Sequence, residues 1–133
     1  MLTGLLHAHS GLRYLVLLAG LAALAYALYA VVGRRPYDTG IRRTAGIFAG
    51  LLHLQVLLGF VLLVSGRFYP ALIGHIFMML MAALAAQVPL SVLRRMPPER
   101  RQPMPHLIGT ALALALIWGG VLSIGRGLLD SSL

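Results

Sequence analysis

Long apolar stretches and short polar breaks alternate along the chain. The stretches cover about residues 3–33, 41–65, 68–94 and 104–128. Wound as α-helices, each spans the roughly 30 Å of a bilayer's hydrocarbon, which takes around 20 residues. The breaks carry matching turn chemistry. Gly33 with Pro36 beyond it predicts the exit of the first helix, and Asp38-Thr39-Gly40 the turn into the second. Only Ser65-Gly66 and a few neighbours separate the second helix from the third, which predicts a tight antiparallel hairpin. Pro70 suits the first turn of the third helix, where a missing N–H costs nothing. Pro89 predicts a kink late in the same helix. Residues 96–105 hold four prolines and predict an extended connection, after which the fourth helix runs through Trp118 to about 125–127. The expected fold is all-α: a single-domain four-helix transmembrane bundle, up-down-up-down.

Composition supports this. Of 133 residues 59% are hydrophobic and 11% charged, where a soluble domain carries roughly a quarter charged; the mean hydropathy is +0.89. Little chain remains for a soluble domain. The first stretch is too long for a signal peptide and has neither a basic start nor a cleavage site, so it is expected to stay as the first span.

A net charge of +8 suggests nucleic acid until its placement is read. All 11 basic residues are arginine, and eight sit at two connections: Arg34, Arg35, Arg42 and Arg43 at the first, Arg94, Arg95, Arg100 and Arg101 at the third. Short arginine-rich loops mark cytoplasmic segments. Arg67 and Arg126 are the basic residues of the second connection and the C-terminal tail. The expectation is a multi-pass protein of the bacterial inner membrane with both termini extracytoplasmic. Its arginines would meet anionic lipid headgroups and no nucleic acid. The absence of cysteine excludes disulfides, iron–sulfur clusters and thiolate zinc sites.

Polar side chains inside the spans are few, costly and therefore informative. His7 and His9 fall in the outer part of the first helix, His53 near the middle of the second and His75 about two turns into the third. His106 stands alone at the cytoplasmic start of the fourth. His7 and His9 are about 200° apart around a helix and cannot both face one centre, whereas His9 and Arg13 share a face. Gly46, Ala49, Gly50 and Phe60 accompany His53, and Met79, Ala82 and Ala86 accompany His75. Such faces admit a neighbouring helix or the edge of a flat cofactor, as does the Gly109, Ala113 and Gly120 side of the fourth helix. Imidazole suits haem iron, copper and zinc. His9, His53 and His75 are the candidate metal ligands. His7 and Arg13 complete the candidate cofactor site; because Asp38, Glu99 and Asp130 all lie outside the spans, Arg13 either snorkels to the outer surface or faces an anionic partner from outside the chain, such as a haem propionate, a lipid phosphate or another subunit. Gln55, on the opposite side of its helix from His53, is a weaker polar candidate. No HExxH or carboxylate-rich pattern supports a hydrolytic zinc or di-iron site.

The runs Leu6-His7-Ala8-His9-Ser10-Gly11-Leu12-Arg13-Tyr14 and Leu52-His53-Leu54-Gln55-Val56-Leu57-Leu58-Gly59, with His75 early in the third helix, resemble a family of small bacterial four-helix membrane proteins labelled cytochrome b-like. The resemblance covers most of the first three helices, and its N-terminal His-x-His-Ser run is the most specific part. It implies haem binding, with His7, His9, His53 and His75 at the matching positions. The family's third helix carries a His-Pro pair where this chain has His75-Ile76.

The leading expectation is a haem b electron-transfer protein or membrane anchor subunit, exchanging electrons with quinol. With His106 alone near the cytoplasmic face, one haem, or two clustered near the outside, fits better than a two-haem wire across the membrane. The alternatives are a non-enzymatic accessory subunit of a larger respiratory or photosynthetic complex, and a copper protein with Met78, Met79 and Met81 as soft ligands. No buried acid or repeat supports a transporter, and no nucleophile and base pair supports a stand-alone enzyme.

Overall fold

The computed structural model describes residues 2–66, 68–70 and 72–124, the side chain of Leu2 excepted. The elements are α1 (Leu2–Val32), α2 (Thr39–Val64), α3 (Leu72–Arg94) and α4 (Met104–Leu122), with one turn of 3₁₀-helix at Pro98–Arg100. Among the described residues there is no strand. All four α-helices are long and apolar enough to cross a membrane.

Local chemistry sets the helix ends. The α1 terminus closes as a Schellman-type turn: Arg35 N–H donates to Ala30 O at 2.8 Å and Arg34 N–H to Val31 O at 3.2 Å. Arg34, the residue after Gly33, takes the left-handed position of this turn at φ 54°. Helix α2 starts two residues ahead of the expected 41, because the Asp38 carboxylate caps it by accepting from Ile41 N–H at 2.9 Å. The other oxygen of Asp38 accepts from the Tyr26 hydroxyl at 3.0 Å and ties the cap to α1. Helix α3 starts at Leu72 rather than 68. A turn precedes it, in which Leu72 N–H bonds Tyr69 O and Ile73 N–H bonds Pro70 O, so Pro70 stands just ahead of the helix. Pro89 lies inside α3. The expected end of the fourth helix at 125–128 lies outside the described residues.

Small residues face inward and large ones outward. Ala23, Ala27, Ala30, Ala82, Ala86 and Ala113 are buried, joined by Phe48 and Leu52, whereas Leu18, Val32, Ile73 and Phe77 are well exposed. Between apolar helices in lipid there is no hydrophobic sorting, and close backbone approach becomes the dominant attraction. Helix α1 packs mainly on α2, and α3 on α4. Along the first pair Gly20 meets Phe48, Tyr26 meets Gly40 and His9 meets Gly59. Along the second, Gly109 lies against the Ala85 carbonyl and the Pro89 ring, and Gly120 against His75, Met78 and Met79. The Ala85 carbonyl is the one that Pro89 leaves without its helical N–H partner, and α4 covers it. Gly46 and Gly50, expected to pack, have open space where a side chain would project.

The two arginine-rich connections lie at the same end of the bundle. Tyr37 of the first stacks on His106 at the start of α4, ring centroids 5.5 Å apart, with hydroxyl and Nε2 hydrogen-bonded at 3.0 Å.

Candidate functional site

Towards the opposite end the four helices part around a cavity of about 480 Å³, within the roughly 300–1,000 Å³ range of cofactor and small-molecule sites. Its walls are mostly apolar, with Val16, Leu52, Ile117 and Val121 contributed by three helices. Against them stand six polar side chains: His9, Ser10 and Arg13 from α1, Gln55 from α2, His75 from α3, and Tyr69 ahead of α3.

Helix α1 delivers His9 and Arg13 together because they are four residues apart, one turn along a single face. The edge of the His9 ring lies on α2 at Gly59, where an added Cβ would stand 3.2 Å from Cε1. Glycine permits this approach. The His9 Nδ1 atom is sealed away and has no hydrogen-bond partner, so Nε2 is the nitrogen with which this ring can meet a ligand. His75 reaches the same condition by another route. Its Nδ1 lies 2.9 Å from the Gly120 carbonyl oxygen, which only accepts, so Nδ1 is the donor of this bond and Nε2 is the nitrogen left for a ligand. The Arg13 guanidinium donates to the Tyr14 hydroxyl at 3.1 Å and lies 4.9 Å from that ring's centroid, while it also lines the cavity.

Gln55 plays a larger part here than the sequence suggests. Its Nε2 donates to the His9 backbone oxygen at 2.7 Å, and its Oε1 is buried without a partner. Its position opposite His53 is the available signal, because the two residues fall on opposite sides of α2 and only one side can face the cavity.

The other candidates are elsewhere. His7 is exposed on α1 and does not line the cavity. His53 is exposed on α2, outside the cavity, with Nε2 hydrogen-bonded to Gln87 Oε1 at 2.9 Å; Gln87 in turn donates to Ser91 at 3.1 Å. His106 is buried at the arginine-rich end against Tyr37. Of the three candidate metal ligands the cavity thus gathers His9 and His75. Among the described residues there is no cluster of three or more metal-binding side chains. Comparison with protein families, with curated proteins and with solved structures finds no match to this chain.

Proposed function

We propose that this chain is an integral membrane protein that holds one b-type haem between His9 and His75, acting in electron transfer or as a membrane anchor subunit. The observation that carries the reading is that imidazoles from two separate helices line one apolar cavity, each with Nε2 as its available nitrogen. The residues fit the group. The bond from His75 Nδ1 to Gly120 orients the ring with Nε2 left for a metal, the arrangement by which a backbone carbonyl fixes tautomer and raises ligand basicity. Arg13 supplies a permanent positive charge for a propionate. A bound haem would supply one-electron redox chemistry. The chain would exclude water with its aliphatic walls, orient both rings and balance charge at Arg13. The resemblance to cytochrome b-like proteins supports the same reading.

In this proposal the bundle runs up-down-up-down across a bacterial inner membrane. The arginine-rich connections face the cytoplasm, and both termini and the cavity lie towards the other side.

The deciding experiment is spectroscopic. Detergent-solubilised protein should show a Soret band and a dithionite-induced α-band; a colourless protein defeats the proposal. A second reading, copper binding, draws on Met79, whose thioether side chain lines the same cavity as the two histidines. A colourless sample with stoichiometric copper favours it. A colourless, metal-free sample that co-purifies with other subunits favours an accessory subunit instead.

A further inference from the structure

His53 is the mid-span histidine that the cavity leaves out, and it is exposed on the outside of the bundle. It lies on α2 between Thr39 and Val64, about 21 Å along the axis from one helix end and about 16 Å from the other. When the helices span a bilayer, that depth offers a polar side chain neither water nor headgroups, and its exposure there is costly. Within the chain His53 has one partner, Gln87 of α3. Gln87 Nε2 donates to Ser91 Oγ at 3.1 Å, so the amide oxygen, 2.9 Å from His53 Nε2, is the acceptor and His53 Nε2 the donor. Two groups are left over: His53 Nδ1 and the second N–H of the Gln87 amide. Neither meets a partner among the described residues.

The backbone beside His53 is bare on the same side. Gly46, Gly50, His53 and Leu57 follow at steps of four, three and four, within about 40° of one line along α2. A Cβ on either glycine would meet nothing within 4 Å, and Leu57 is 57% exposed. Acyl chains would cover this face but cannot bond the two leftover polar groups. We infer that it is where a second copy of the chain docks, giving a two-fold dimer in which α2 packs on α2. Copies inserted alike in one bilayer meet with these helices parallel. Around an axis along the membrane normal, each residue then meets its own image at the same depth. The glycines let the two backbones approach closely. The leftover groups are a donor and an acceptor: the Gln87 amide of one copy donates to His53 Nδ1 of the other, and the axis makes the bond twice. A different protein would have to supply an acceptor and a donor at that depth; a second copy brings both. The inference needs the four helices to span a bilayer and does not depend on haem.

The test uses the absence of cysteine. Full-length Leu57→Cys, reconstituted in phospholipid vesicles at a low protein-to-lipid ratio, should form a disulfide-linked dimer with copper phenanthroline. Leu18→Cys, on an exposed part of α1, should not. In the Leu57→Cys background His53→Ala, Gln87→Leu and Gly50→Ile should each cut cross-linking about tenfold. Gly50→Ala, which keeps the face small, should leave it largely intact. Circular dichroism matching the parent's shows that each variant has folded. Equal cross-linking through Leu18→Cys and Leu57→Cys would overturn the proposal, as would full cross-linking in folded His53→Ala and Gln87→Leu. A Leu57→Cys protein that stays monomeric in vesicles but cross-links to a different protein in native membranes would overturn the second copy as occupant. Haem is read on the same samples: a colourless dimer refutes the haem reading and leaves the interface, and a coloured monomer does the reverse.

Discussion

His75 and Gly120 are joined across α3 and α4 by a 2.9 Å hydrogen bond from an imidazole N–H to a backbone carbonyl. That carbonyl is near the end of α4, where helical carbonyls run out of N–H partners, and Ser123 Oγ donates to it as well, at 2.6 Å. The ring is therefore held by a group that side-chain substitution cannot remove. Nearby, Gly120 has no room for a side chain, because an added Cβ would run into the Met79 methyl. His9 is held differently, by the flat surface of Gly59.

Single replacements divide the histidines into two classes. His9→Ala and His75→Ala should each abolish the Soret band while the protein still accumulates in the membrane. His7→Ala and His53→Ala should keep it, because both rings are exposed and outside the cavity. Haem content per protein, by pyridine haemochrome assay, decides. Loss of haem in His53→Ala with retention in His9→Ala would invert the assignment.

What the sequence made legible follows from what lipid selects. Four stretches of the required length are visible because each must clear the bilayer, and they reappear as α1 to α4 with shifts at the caps. The pairing of His9 with Arg13 is legible because their one-turn spacing survives any rotation of α1. The inward face of each helix is another matter. These helices are apolar all round, so no amphipathic stripe marks the interior, and packing of alanines decides instead. For that reason Gly109, Ala113 and Gly120 lie inward as their spacing suggests, whereas Gly46 and Gly50, spaced as regularly, face open space. The same ambiguity hid from the sequence that Gln55 lines the cavity and that His53 lies outside it.

The glycines provide a test of that packing. In Gly109→Ala the new Cβ would stand 2.5 Å from the Ala85 carbonyl oxygen and 2.7 Å from Pro89 Cγ, neither of which moves freely. Overpacking of this kind costs about 1–3 kcal/mol. Gly50→Ala meets nothing within 4 Å and replaces a poor helix former by a better one, a gain of up to about 1 kcal/mol. Thermal unfolding in detergent should therefore show a lowered midpoint for Gly109→Ala and an unchanged or raised one for Gly50→Ala. Equal midpoints would show that α3 and α4 do not approach as closely as described.

At the arginine-rich end, Tyr37 and His106 predict an alkaline effect. Burial pushes the Tyr37 phenol above its ordinary value of 10, against the opposing pull of Arg42 and Arg101. The unfolded chain therefore gives up this proton first as pH rises. The contribution to stability is complete below pH 10 and is lost as pH climbs through the raised value. Tyr37→Phe lacks the titrating group, so its midpoint should fall less than the parent's in the alkaline range. At neutral pH the same variant should be the less stable of the two by about 1–3 kcal/mol, because His106 Nε2 is left in a buried ring without its partner. Parallel alkaline curves for the two proteins would place Tyr37 in water.

Gln55 carries one satisfied and one unsatisfied polar atom, and its replacements should separate the two. Its Nε2 bond to the His9 carbonyl contributes about 0.5–1.5 kcal/mol, while the buried, unpartnered Oε1 costs about 1–3 kcal/mol. Gln55→Leu removes both at similar volume, so the unfolding midpoint should stay the same or rise. Gln55→Glu keeps an oxygen at the cavity wall and turns the donor facing the His9 carbonyl into an acceptor. Ionised, it adds a charge in an apolar wall, and it should lower the midpoint clearly at neutral pH. A marked loss of stability in Gln55→Leu would mean that Oε1 has a partner, such as a buried water, whose loss outweighs the desolvation relieved. If Gln55→Leu keeps its midpoint and changes the haem spectrum, the amide's contribution is to hold the backbone that carries His9, and α2 positions a ligand that belongs to α1.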